Sequence, residues 1–249
     1  MDTLKEDEIL YNSQMNSIKE YTDFFTAVKY GYLNFVKKMV ESGIDIHFDN
    51  EYAFRLSAKR GHIDVVKYLV EQGSDIHAQD EYAFRYASKN GHIDVVKFLF
   101  EKGANIYIHD YFSIMEATSN GHLEIVKFLE EQGHPPPFGG DLLIILRKIR
   151  GDYVLIYQHY IERYKQYFFF SKSIALILHH MITENHLQSC KYFLDFLKKN
   201  TIKFDIEYVQ KLIKSANKHG RIQLNELLSN YWDFIQKQSV KTNIKKNIY

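Results

Sequence analysis

Histidine recurs at fixed intervals along this 249-residue chain, and imidazole is the side chain most often recruited for metal ligation and proton transfer. His62, His92 and His122 stand 30 residues apart, and His47 and His77 form a second pair at the same interval. A metal site would need their ring nitrogens ~2.0–2.1 Å from one ion. Residues separated by one structural period cannot meet that closely, so the ladder predicts a polar position where a helix begins. His179-His180 with His186 comes nearer to ligand spacing, but no Cys, Asp or Glu in register completes the set. The single cysteine, Cys190, excludes an intrachain disulfide and a cysteine-based zinc site. It aligns with Val126 and Val96 on an apolar stripe, which predicts a buried and unreactive thiol. No glycine-rich phosphate loop, GxSxG or HExxH motif is present. No catalytic residue, metal or cofactor is therefore expected.

The intervals themselves are the stronger signal. Gly31, Gly61, Gly91 and Gly121 share the 30-residue spacing, as do Gly43, Gly73, Gly103 and Gly133. Self-similarity of this kind marks a solenoid, whose units bury their apolar faces only by stacking. In residues 80–109, Asp80 is placed to cap a first helix through Lys89, and Gly91 ends it in the left-handed conformation. A second helix, IDVVKFLFEK, carries Ile93, Val96 and Leu99 as one apolar stripe and stops at Gly103. Small Ala27, Ser57, Ala87 and Ala117 recur on the first helices, where they let neighbouring helices approach to ~8–10 Å.

This helix–turn–helix–loop, with GHxDVVKxLxExGxDI on its second half, resembles the ankyrin repeat. Two departures stand out. The first-helix signature T-P-L-H is replaced by Tyr52-Ala53-Phe54-Arg55, Tyr82-Ala83-Phe84-Arg85 and Phe112-Ser113-Ile114-Met115, and the unit is 30 residues where the family has 33. The wording of the units looks most like ankyrin proteins of large DNA viruses of amoebae. The expected fold is an all-α ankyrin solenoid of about seven units, regular over 20–49, 50–79, 80–109 and 110–140. Three degenerate units follow in 141–232, echoed by Asn185-His186-Leu187 and His219-Gly220-Arg221. A capping helix is expected within 1–19, HPPPFGGD at 134–141 interrupts the rhythm, and 233–249 is a basic tail with Lys237, Lys241, Lys245 and Lys246. Tyr153, Tyr157, Tyr160, Tyr164 and Tyr167, spaced four and three apart, form a helix face before Phe168-Phe169-Phe170 that serves either the core or a partner.

Charge arrangement carries the functional reading, because the formal net charge of +1 gives no overall bias. On the second helices Lys37, Lys67, Lys97 and Lys127 precede Glu41, Glu71, Glu101 and Glu131 by four residues, a spacing suited to ion pairs. The first helices hold Lys29, Arg55, Lys59, Arg60, Arg85 and Lys89 and read as basic, although Arg55 and Arg85 are equally placed for bonds between units. The resemblance puts the residues before each inter-helix glycine on the concave, partner-facing side. That implies Lys29, Tyr30, Lys59, Arg60, Lys89, Asn90, Ser119 and Asn120 as the binding column.

The expectation is a non-catalytic, monomeric scaffold for a protein partner, an acidic or phosphorylated segment, with a host protein implied by the viral likeness. Nucleic acid and membrane are not expected as partners. The acidic N-terminus lacks a signal-peptide core and no run is long enough to span a bilayer, so an intracellular site, cytoplasm or nucleus, is expected. The rival is an enzyme or nucleic-acid-binding module within 141–249.

Overall fold

The computed structural model describes residues 19–108, 111–133, 149–163, 171–200 and 206–246. Among these there are thirteen helices and no strand. The expected capping helix before residue 19, the 134–141 interruption, Tyr164, Tyr167 and Phe168–Phe170 lie outside the described residues.

The chain forms two compact units, one of 19–117 with 124–133 and one of 118–123 with the described residues from 149 onward. In the first, a helix over 19–30 (α1) is followed by α2 (Leu33–Glu41), α3 (Phe48–Arg60), α4 (Ile63–Glu71), α5 (Ala78–Asn90) and α6 (Ile93–Glu101). Helix α7 (Phe112–Ser119) crosses the division between the units, and α8 (Leu123–Glu131) follows it. First helices pack on first helices, α3 against α5, while α4 packs on both α2 and α6. The small residues explain this closeness: Ala27, Ser57, Ala87 and Ala117 are all buried. The core of α4 and of α6 is a Val-Val-Leu set, Val65, Val66 and Leu69 or Val95, Val96 and Leu99, with Ile125, Val126 and Leu129 in the same places on α8. Val95 takes the place expected of Ile93, which is only half-buried.

Helices α1, α3 and α5 turn into the second helices by the same route, Tyr32 N–H donating to the Ala27 carbonyl at 2.9 Å in the first of these turns. His62 N–H donates to the Ser57 carbonyl at 3.0 Å, and His92 N–H to the Ala87 carbonyl at 3.0 Å. Gly61 sits between them at φ 80°, and a Cβ there would strike the ring of His92. At Gly31 the same atom would lie 2.6 Å from His62 Nδ1. Glycine is required at this turn for conformation and for space alike.

The second unit contains α9 (Val154–Arg163), α10 (Ser171–Thr183), α11 (Leu187–Lys199), α12 (Ile206–Lys218) and α13 (Ile222–Lys246). Helix α10 pairs with α11 and α12 with α13, while α9, α11 and α13 pack successively and α10 packs on α12. The turn is kept as well. His186 N–H donates to the Met181 carbonyl at 2.7 Å and Arg221 N–H to the Ala216 carbonyl at 2.9 Å. Asn185, at φ 62°, stands where the first unit has glycine, a substitution its short amide side chain tolerates better than most. Tyr157 and Tyr160 are fully buried, with Tyr157 Oη 3.2 Å from His186 Nδ1 and Tyr160 Oη 3.0 Å from Thr118 Oγ1, so this part of the tyrosine face is core. Cys190 is buried on α11 in the register of Val66 and Val96, its N–H donating to His186 as theirs do to His62 and His92. Burial pushes its thiol up to about 12. Helix α13 continues to Lys246, beyond residue 232 where the last unit was expected to end.

Candidate partner-binding site

The loop that leads into each first helix departs from the expectation. Asp80 lies within a left-handed stretch at the start of α5, whose cap position, His77, makes no side-chain capping bond. Gln79, Asp80 and Glu81 have φ of 50°, 55° and 60°, and Asp49, Asn50 and Glu51 have 51°, 53° and 64°. Three consecutive non-glycine residues in the left-handed region are costly, and arginine holds them there. Arg55 Nε donates to the Asn50 carbonyl at 2.7 Å and its Nη2 to the Asp49 carbonyl at 2.7 Å, while Nη1 reaches Gln79 Oε1 of the next unit at 2.9 Å. Its guanidinium also lies between the rings of Tyr52 and Tyr82. Arg85 repeats the backbone bonds to Asp80 and Gln79. Arg55 is therefore buried and Arg85 committed, and neither contributes a free charge to the first-helix face.

The same turn buries an acid whose pairing with a histidine the sequence reading missed. Glu51 and Glu81 are almost fully enclosed, and each accepts from an exposed histidine four residues back, His47 Nδ1 at 2.5 Å and His77 Nδ1 at 2.6 Å. The hydrogen bond to the carboxylate raises both histidines above their ordinary range, outweighing the opposing effect of burial; Asp45 and Asp75 add to the rise. The signal was present as a repeated DIHxxxEYAFR, in which His and Glu stand four apart.

The expected pairing on the second helices does not form. Among the described residues no ion pair joins Lys37 to Glu41, Lys67 to Glu71 or Lys97 to Glu101. Each lysine instead lies over a ring of the next unit, Lys37 over Tyr68 at 5.4 Å, Lys67 over Phe98 at 5.9 Å and Lys97 over Phe128 at 5.9 Å. The stem packs on apolar surface while the ammonium meets the ring face, which a bare surface ion pair cannot match.

Against this background the column divides. Lys29, Tyr30, Arg60 and Asn90 are exposed, and Lys59 and Lys89 are half-buried. The Tyr86 ring carries Lys59 at 5.3 Å and Lys89 at 5.8 Å, and Asn90 Nδ2 donates to the Lys59 carbonyl at 2.8 Å. His62 and His92 are fastened beneath, their Nε2 atoms 2.8 Å from the Lys29 carbonyl and 3.0 Å from the Lys59 carbonyl, so the ladder joins units. Lys89 is also 3.0 Å from Glu116, an acid missed because it lies 27 positions away, and this halves the charge at that level. Ser119 is a correction. It is 2% exposed and its carbonyl accepts from Arg150 N–H at 3.1 Å, so it offers a partner nothing. Asn120 is half-buried beside it in the second unit.

Around His186 the structure shows packing: its ring meets that of His180 edge-on, centroids 5.5 Å apart, and burial lowers its pKa. Among the described residues no three His, Cys, Asp or Glu side chains gather where a metal could sit. The second unit does contain an open cleft of about 500 Å³, lined by Ile149, Arg150, Leu176, His179, His180 and Glu184 among others. No described helix is long and apolar enough to cross a membrane.

Comparison with known families agrees with this architecture. Residues 24–110 match the family model described as "Ankyrin repeats (3 copies)". Ankyrin repeats are thus present in the first unit, and repeats of this family generally serve protein–protein interaction. No curated protein matches the chain in sequence, so no relative supports the viral likeness.

Proposed function

We propose that the protein is a non-catalytic scaffold that binds an acidic or phosphorylated segment of another protein across the pre-glycine positions of its first three repeats. The observation that supports this most is the survival of exposed Lys29 and Arg60 and half-buried Lys59 beside Tyr30 and Tyr86, when the other first-helix cations are consumed within the fold. Cations beside aromatic rings suit carboxylate or phosphate groups carried on a chain with apolar parts. The division into a cap, four regular repeats, three degenerate repeats within 141–232 and a basic tail belongs to the same proposal. So do a monomeric state, a host partner and a location in the host cytoplasm or nucleus.

Charge reversal provides the test. Lys29→Glu, Lys59→Glu and Arg60→Glu together should abolish binding of a partner captured with the full chain, and wild-type affinity should fall as salt rises. Unchanged affinity and salt dependence in that variant would remove this face from consideration. The rival reading, an enzyme or nucleic-acid module in 141–249, has the cleft beside Arg150 on its side. Salt-dependent binding of random-sequence DNA or RNA would favour it.

A further inference from the structure

The cleft in the second unit occupies a defined register. Ile149-Arg150 precede Gly151, and Thr183-Glu184 precede the left-handed Asn185, so both pairs belong to the series that includes Lys59-Arg60 and Lys89-Asn90. Between Lys59-Arg60 and Lys89-Asn90 the gap is bridged, because Asn90 Nδ2 donates to the Lys59 carbonyl. Glu184 stands where Asn90 stands. A carboxylate only accepts hydrogen bonds, so it cannot donate to the carbonyl of Ile149, the counterpart of Lys59. The pairs are also 34 residues apart where the regular repeat has 30. Both differences leave the gap open.

Two charged groups that line the opening are uncommitted. Among the described residues neither the Arg150 guanidinium nor the Glu184 carboxylate pairs with another charged group, and both are exposed. The same cleft is lined by Leu176 of α10, 43% exposed although Ala175, Ile177 and Leu178 beside it are buried. The cleft thus offers a planar donor fork, an acceptor and an apolar side chain.

We infer that this cleft docks a segment of a partner protein carrying an acidic, an apolar and a basic side chain in close succession. The acid meets Arg150 in a two-bond fork, the apolar side chain covers Leu176, and the base meets Glu184. Units of a helical stack advance by about the spacing of packed helices, ~8–10 Å. An extended chain rises ~3.3 Å per residue, so the two charges fall about three residues apart. The inference rests on the scaffold reading, since it uses the same register, but it places a second contact of different chemistry in the other unit.

The test uses the full chain and blocked nine-residue peptides that hold Glu and Lys three residues apart with Leu between. Both residue orders are made, with serine-substituted and all-acidic controls. Fluorescence anisotropy should show the wild type binding one order in preference to the other and to both controls. Arg150→Glu or Glu184→Arg should each weaken that binding at least tenfold. The double variant should bind again with the preferred order reversed, a rescue that mere damage to the fold cannot produce. Lys59→Glu with Arg60→Glu should leave this binding unchanged, so the first-unit face can fail its own test while the cleft passes. Absence of binding at millimolar peptide, equal binding of a control, or indifference to Arg150→Glu would overturn the cleft assignment. Loss of binding in the Lys59→Glu and Arg60→Glu variant would transfer the peptide to the first-unit face and equally overturn it.

Discussion

Arg55 and Arg60 lie five residues apart in one helix and do opposite work. Arg55 satisfies two carbonyls of a left-handed turn and a side chain of the next unit, so its removal leaves three partly buried acceptors without that donor. Arg55→Ala should cost about 2–4 kcal/mol in chemical denaturation, and Arg60→Ala within about 0.5 kcal/mol. Equal small losses would mean that the turn holds itself. The His47–Glu51 and His77–Glu81 pairs make stability depend on pH. Both histidines are raised above their ordinary 6.5, so their contribution is complete below that value and is lost as pH rises through the raised folded values. The buried His186 is lowered, and its contribution works the other way, lost as pH falls. The two effects separate by mutation: relative to wild type, a His47→Gln, His77→Gln variant should lose melting temperature at pH 6 and little at pH 8.5. An equal loss at both pH values would show that protonation of these rings is not what stabilises the turn.

At the scale of elements, helices are joined between units by groups that reach one period ahead. Asp152 gives the clearest case: its carboxylate accepts from Gln188 N–H at 2.6 Å and Ser189 N–H at 2.8 Å, and from the Ser189 hydroxyl. These are free amides of the first turn of α11, whose own cap position, His186, supplies no side-chain bond. A neighbouring repeat therefore supplies the cap and places negative charge at the positive end of the helix. Asp152→Ala should cost about 1–2 kcal/mol, and Asp152→Asn, which still accepts hydrogen bonds, less. Amide hydrogen exchange at Gln188 and Ser189 should speed up accordingly; unaltered exchange would show that α11 caps itself. The lysine-over-ring contacts on α2, α4 and α6 join units in the same direction on the opposite helices.

For the whole molecule the decisive property is that the first unit's parts are interchangeable. The turn at 49–51 and the turn at 79–81 share their backbone angles, and each is followed by Tyr-Ala-Phe-Arg. Excising residues 50–79 would join Asp49 to Asp80 in register and remove one stacking interface. The shortened chain should keep its helical circular dichroism per residue and unfold cooperatively at a lower temperature, as nearest-neighbour stacking requires. Loss of helix throughout would mean that the repeats are not equivalent. Much of this was legible beforehand. The 30-residue period, the inter-helix glycines, the small first-helix residues and the burial of Cys190 all follow from constraints that each repeat meets locally and restates in its sequence. The site was legible only in part. Lys37 had Glu41 four positions away and Tyr68 one period away, Lys89 had Glu116 beyond the next helix, and Ser119 had Arg150. Sequence names all these candidates, but which one a side chain takes depends on through-space distance and burial. Stacking creates both, and so only the tertiary structure decided which charges remain free to meet a partner.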